Sequence, residues 1–301
     1  MYNFVKMCYS NETIARMMNR RKWAKNRAEA IAMSIFEYNE EKRFDREHKD
    51  MGESSMITEK SEAIHTNKYT SVCHKVNSQM VKDLMLSLGA DLCGIASMDR
   101  FRDAPKGFHP LDVMPSCRSV ISFGCRFPIG TLRCNSPIPY TRVRNSITPK
   151  MDAIALDFCI EMERRGVVCV PIPTNESVWD GNTGRWRSVV SQKHAAQAAG
   201  LGTIGRHSLL ITPEFGSMIW LGAVLCEQEL VPDELKENIC NACNLCVEVC
   251  PVGALDEYEL KQQVCWDHAF GDDENLQAWT ISCHKCRDIC PFNLGSAIGR
   301  C

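Results

Sequence analysis

Residues 240–251 read CNACNLCVEVCP. Two residues separate Cys240 from Cys243 and Cys243 from Cys246, three separate Cys246 from Cys250, and Pro251 closes the run. Thiols this close along a chain can converge on one metal centre. A second run, CHKCRDICP, ends the same way, with Cys283, Cys286 and Cys290 before Pro291. Between the two runs the chain holds one more cysteine, Cys265 in KQQVCWDH.

The spacing C-x2-C-x2-C-x3-C-P is that of bacterial-type ferredoxins, where three thiolates hold one [4Fe–4S] cluster and the fourth crosses to a second. Applied here, cluster one takes Cys240, Cys243, Cys246 and Cys290, and cluster two takes Cys265, Cys283, Cys286 and Cys250. Zinc is the competing reading, since it also favours paired cysteines. It gives no reason for a three-residue gap followed by proline, twice. Pro251 turns the chain away from the centre, and Gly253 permits a tight bend.

The rest of the composition bounds the function. The chain has 301 residues, 45% hydrophobic and 24% charged, enough for a substantial core. A net charge of -2 gives no bulk attraction to nucleic acid or anionic membrane. No apolar run reaches the roughly 18 residues of a membrane span, and the first residues lack the apolar core of a signal peptide. A cytoplasmic location and no membrane partner are expected. Of the eighteen cysteines, the ten outside the two runs and Cys265 lie mostly in apolar segments and read as small buried hydrophobes. So many free thiols suit a reducing compartment.

Residues 1–72 form a helical and polar extension with no assigned chemistry. Residues 73–232 alternate between helix and strand patterns. SQMVKDLMLSLGA is helical and ends at Gly89, DLCGIASM and CRSVISFGCRF are strands, and KMDAIALDFCIEMERRG is a helix closed by Gly166. VVCVPIP is a strand, VVSQKHAAQAA is helical, and HSLLITPEFGSMIWLGAVLCEQEL reads as two strands around a Pro/Gly turn. Residues 233–301 form the two-cluster module.

Gly200, Gly202 and Gly205 match G-x-G-x-x-G, but here the motif follows a helix and leads into a strand. A dinucleotide site needs the reverse order, so NAD is set aside. The glycine turn can still let backbone approach a large ligand, with Arg206 and His207 beside it. Tyr140 lies in the Pro-flanked loop IPYTRVRN and His194 just before the glycine turn.

GADLCGIASMDRF, CRSVISFG, HAAQAAGLGTIGRHSLLITPEFGSMIWLGAVL and the double-cluster module occur in an order that resembles the epoxyqueuosine reductases and the related corrinoid-dependent reductive dehalogenases. The resemblance covers about residues 79–295. It implies an α+β chain in which a nitroreductase-like α/β domain precedes a bacterial-ferredoxin-like module. It also implies a cobalamin fed with electrons through the two clusters, a low-potential donor such as ferredoxin or flavodoxin, and a small-molecule substrate. Gly200, Gly202, Gly205 and Arg206 would then bind the cofactor. In epoxyqueuosine reductases an aspartate shortly before the AGLG element is thought to donate a proton. The matching place here falls near Trp186, and no acid stands between Gly181 and Gly200. Dehalogenases use a tyrosine as proton donor, so the resemblance makes Tyr140, together with His194, the candidate donors. The chain also stops soon after the second cluster motif, so tRNA is not expected as a partner. The alternative function is electron transfer, with the α/β domain docking a partner or holding a flavin.

Overall fold

A computed structural model describes residues 76–180, 185–256, 259–273, 276 and 278–296. The expected extension over residues 1–72 lies outside them. The described residues belong to one compact unit, residues 70–301.

A four-stranded antiparallel sheet organises this unit, in the order β1 (Leu92–Ser97), β2 (Ser119–Arg126), β8 (Ile219–Cys226), β3 (Cys169–Ile172). Alternation along the strands feeds two cores. Ile95, Ile121, Phe123, Val224 and Cys226 face one side, and Ala96, Val120, Ala223 and Leu225 the other. Seven of the eight β2 residues are buried, because helices cover both faces.

On the first face pack α1 (Ser78–Ser87), capped by Asn77 through a bond from the Met80 N–H at 2.9 Å, and a longer helix of 26 residues. A one-turn helix, α2 (Pro110–Val113), precedes β2, so the long helix is α3 (Ile138–Glu163). The sequence pattern KMDAIALDFCIEMERRG starts that helix at Lys150, and proline in a helix interior costs about 3 kcal/mol. The structure carries it through Pro149 instead. Buried Ile147, Met151, Ile154, Phe158 and Met162 form one face on the sheet. At about 1.5–3 kcal/mol each, their burial outweighs the proline. IPYTRVRN is therefore the first part of a helix, not a loop.

On the other face lies α4 (Gln192–Ala198), whose last turn approaches β1 so closely that a Cβ on Gly94 would sit 2.3 Å from the Ala199 carbonyl oxygen. Between β3 and α4 runs a small hairpin, β4 (Val178–Asp180) and β5 (Arg185–Arg187). After α4 comes another, β6 (Thr203–Ile204) and β7 (Leu210–Ile211). The two strands expected in HSLLITPEFGSMIWLGAVL exist, but β7 pairs with β6 while β8 joins the main sheet.

The cysteine-bearing segment holds three short helices, α5 (Leu245–Glu248), α6 (Gln262–Ala269) and α7 (Lys285–Asp288), and one hairpin, β9 (Phe270–Asp273) with β10 (Ala278–Ile281). It is tied to the α/β part by specific bonds. The Ile281 N–H donates to Thr141 Oγ1 at 2.9 Å, Ile239 N–H to Thr203 Oγ1 at 3.0 Å, and Ser217 N–H to the Asn293 carbonyl at 3.1 Å. Among the described residues no helix is long and apolar enough to cross a membrane.

Candidate thiol sites and the adjoining cleft

Cys240, Cys243, Cys246 and Cys290 line one small pocket together with Arg206, His207, Asn241, Asn244 and Phe292. Local backbone explains how three of them converge. Ala242 and Asn244 both take left-handed backbone, with φ of 56° and 65°. The Cys240 and Cys243 N–H groups donate to Asn238 Oδ1 and Asn241 Oδ1, at 3.2 and 3.3 Å. Successive turns of this hand form concavities that suit anions and iron–sulfur centres.

The remaining four thiols form a second group. Burial raises the Cys265 thiol, and the nearby Cys283 and Cys250 raise it further. Burial pushes Cys286 up to about 11, with Cys265 as its next largest influence. Cys250 differs: burial raises it, but backbone N–H groups of residues 252–255 outweigh that and hold it low. One of them, from Ala254, reaches its sulfur at 3.2 Å. Cys290 thus stands with the first three cysteines, and Cys250 with the later ones. Among the described residues no three Cys, His, Asp or Glu side chains close on a single point as one ion requires. The first four thiols instead surround a space, as a cubane with one thiolate per iron needs.

Beside these thiols opens a cleft of about 1310 Å³, larger than the roughly 300–1,000 Å³ of ordinary ligand pockets. Seven Lys and Arg side chains line it against two Asp. Four buried polar atoms on its wall have no hydrogen-bond partner among the described residues: Thr174 Oγ1, Gln192 Oε1, Ser217 Oγ and Arg287 Nη1. An unpaired buried polar atom costs about 1–3 kcal/mol, so these four fit a large ligand rich in polar groups. A corrinoid, with amides around its ring and a phosphate, is such a ligand. Arg287 is the strongest of them. It is 6% exposed, its guanidinium lies 5.8 to 5.9 Å from the rings of Phe127, Tyr140 and Trp220, and it follows Cys286 directly.

Lys193 and His194 also line the cleft. Desolvation, followed by the charge of Arg185, lowers the Lys193 pKa, and its Nζ donates to the Ser208 hydroxyl and carbonyl. His194 is exposed along one edge and packed along the other. That packing, then Lys193, lowers its pKa, and its Nδ1 lies 2.7 Å from Ser191 Oγ. Trp186, at the place where the resemblance puts a catalytic aspartate, lines the cleft too, with its ring 4.8 Å from that of Trp266 beside Cys265. Sequence reasoning missed Arg287 and Lys193: Arg287 sits inside the second cysteine run but is none of its ligand positions, Lys193 belongs to no motif, and only the fold brings them to the cleft.

Tyr140 is placed elsewhere. It is 5% exposed in the first turn of α3, stacked on His284 at 4.7 Å, and does not line the cleft. The three motif glycines do not line it either. Gly200, at φ 71°, would place a Cβ 2.2 Å from the Glu234 carbonyl oxygen, and Gly202 would place one 2.1 Å from that of Ile211. Their close approach is to the chain's own backbone. The residues between and after them do the facing: Thr203, Ile204 and Ser208 line the cleft, while Arg206 and His207 line the thiol pocket. The β6–β7 hairpin is thus a wall with one site on each side.

The 4Fe-4S binding domain family matches residues 234–256. The epoxyqueuosine reductase of Synechocystis is 26% identical over 232 residues, 70% of this chain and 72% of that protein. The chain spans less of other curated relatives, down to 30% of the length of one of them. Among solved structures, a reductive dehalogenase titled as suggesting a mechanism for B12-dependent dehalogenation shares the fold at TM-score 0.55 and 18% identity, over 72% of this chain and 32% of that one. An epoxyqueuosine reductase solved with an epoxyqueuosine-modified tRNA stem loop shares it at TM-score 0.50 and 19% identity, over 71% and 64%. This corrects the expectation that tRNA is not a partner. Where the chain stops carries no argument about tRNA, because the fold shared with the tRNA-bound neighbour lies before that point.

Proposed function

We propose, from the premise that this iron–sulfur oxidoreductase is a relative of the epoxyqueuosine reductases, that it carries electrons through two [4Fe–4S] clusters to a corrinoid in the cationic cleft. Cys240, Cys243, Cys246 and Cys290 hold one cluster, and Cys250, Cys265, Cys283 and Cys286 the other. The α/β part serves as a nitroreductase-like cofactor domain. The single observation that carries this reading is the shared wall: one hairpin borders both the first thiol pocket and the cleft.

When bound, a corrinoid supplies a reducible metal able to cleave a carbon–heteroatom bond. The chain's own residues do the rest. Arg287, Thr174, Gln192 and Ser217 bind and orient polar groups of the ligand. Lys193 holds a proton at Nζ for the substrate, and its lowered pKa makes it a better acid near neutral pH than an ordinary lysine. His194 beside it serves as the second proton carrier, while Tyr140 is assigned to packing. The names of the relatives put a tRNA-borne epoxide first among substrates to test. With Trp186 in place of an acid, this reading takes the proton from the α4 side.

The test is titration of anaerobic protein with cobalamin and, separately, with flavin, followed in the visible spectrum. Micromolar binding of cobalamin with displacement of its free spectrum is expected. Binding of flavin alone would replace this reading with the electron-transfer one.

A further inference from the structure

His207 has no part in the function just proposed, yet it is only 4% exposed and lines the pocket of Cys240, Cys243, Cys246 and Cys290. Three features fix its ring there. A Cβ on Gly205 would lie 2.9 Å from His207 Cε1, so the absence of a side chain at Gly205 makes the space the ring occupies. The turn after it is tight: Ser208 has φ 65°, its N–H donates to the Gly205 carbonyl at 2.8 Å, and the Gly205 N–H donates to that of Leu209 at 2.9 Å. Next to the histidine, Arg206 bonds Asn244 Oδ1, locking the hairpin to the curl between Cys243 and α5.

The Leu209 N–H donates to His207 Nδ1 at 3.2 Å. A ring that accepts at Nδ1 and is neutral carries its proton on Nε2. That Nε2 is buried and has no hydrogen-bond partner among the described residues. A buried donor of this kind calls for an acceptor, and the pocket it lines is walled by four thiols.

We infer that His207 Nε2–H donates a hydrogen bond to a sulfur of the cluster held by Cys240, Cys243, Cys246 and Cys290, and so raises the reduction potential of that cluster. The inference rests on the cluster reading above. Reduction adds one electron, and no proton need move. The added negative charge makes each sulfur a better acceptor, so the bond strengthens on reduction and favours the reduced state. The same hairpin then does two jobs through adjacent residues, Ser208 toward the cleft and His207 toward the cluster.

Three anaerobic samples test this: wild type, His207→Leu and His207→Gln, each titrated potentiometrically with the reduced clusters followed by paramagnetic resonance and iron content measured alongside. In His207→Leu the equilibrium constant for reducing one cluster should fall about tenfold, which is 59 mV for one electron, while the other cluster keeps its potential. His207→Gln, which retains a side-chain N–H, should recover most of that loss. A fourth sample covers the case in which the leucine variant loses its cluster. His284 also carries an unpartnered ring nitrogen, so protein with ¹⁵N-labelled histidine is prepared with His284→Gln. Its reduced spectrum should show one weakly coupled histidine nitrogen. Unchanged potentials in His207→Leu, or no such coupling, would overturn the inference. Iron-free wild-type protein would instead overturn the cluster reading on which it rests.

Discussion

The two thiol groups differ in what the rest of the chain adds to them. The later group is served locally: N–H groups of the turn after Pro251 lie against Cys250, within five residues of it. The first group is curled by its own turn and is in addition walled from afar, by Arg206 and His207 on a hairpin more than thirty residues earlier in the chain. A cluster bound by its own turn can exist in a bare ferredoxin. One walled by a hairpin of the α/β part is built into a larger enzyme, and that wall also borders the cleft. The function proposed above takes the first group as the one through which electrons reach the cleft.

Exchange of the crossing ligands tests the comparison with the largest effect. Cys290→Ser should remove the first cluster, about four of eight irons, and leave the second. Cys250→Ser should do the reverse. Iron analysis with paramagnetic resonance of the reduced variants decides this, and loss of the sequence-local cluster in each case would show the grouping to be reversed.

The hairpin comes next. Gly202→Ala forces a Cβ to within 2.1 Å of a backbone oxygen, and overpacking of this kind costs about 3 kcal/mol or more. Gly271→Ala, where a Cβ meets nothing within 4 Å, should cost about 1 kcal/mol or less. Thermal unfolding of the two holo-proteins compares them. Equal melting temperatures would mean that the hairpin yields and is no fixed wall.

Arg287 sharpens the comparison from the side of the second group, since it follows Cys286 and faces the cleft. Arg287→Leu removes a buried positive charge, so the second cluster should become harder to reduce by about tenfold in its equilibrium constant. Potentiometric titration measures this. A shift in the first cluster alone would place Arg287 on the wrong side of the wall.

The smallest effect concerns pH. His194 has its folded pKa below the unfolded value of 6.5. As pH falls below 6.5 the unfolded chain takes up the proton first, so this residue's share of stability declines until the folded pKa is reached. Its exposed edge keeps the share small. Denaturant midpoints at pH 7 and pH 5 should therefore converge slightly in His194→Gln, relative to wild type.

The same contrast explains what the sequence made legible. Local rules carried far: the cysteine spacings, the helix ending at Gly89, the strands of the main sheet and the helix-before-strand order around Gly200. Long-range placement did not. The helix read from Lys150 onward begins at Ile138, because its apolar face packs α3 on the sheet on both sides of Pro149, and Tyr140 lies in its first turn rather than in a loop. The motif glycines suggested ligand approach, when Gly200 and Gly202 approach the chain's own carbonyls. Lys193 lies in no motif, and the spacing of CHKCRDICP concerns its cysteines and gave no sign that Arg287, after Cys286, faces a cleft.

The central claim is that the first thiol group and the cleft are neighbours across one hairpin. Its most direct test is paramagnetic resonance of cob(II)alamin bound to the anaerobic protein, recorded with the clusters oxidised and reduced. The account predicts that reduction broadens the cobalt signal by spin coupling, and that the broadening survives Cys250→Ser and disappears in Cys290→Ser. A bound cobalt signal unaffected by cluster reduction, or one still broadened in Cys290→Ser, would contradict it.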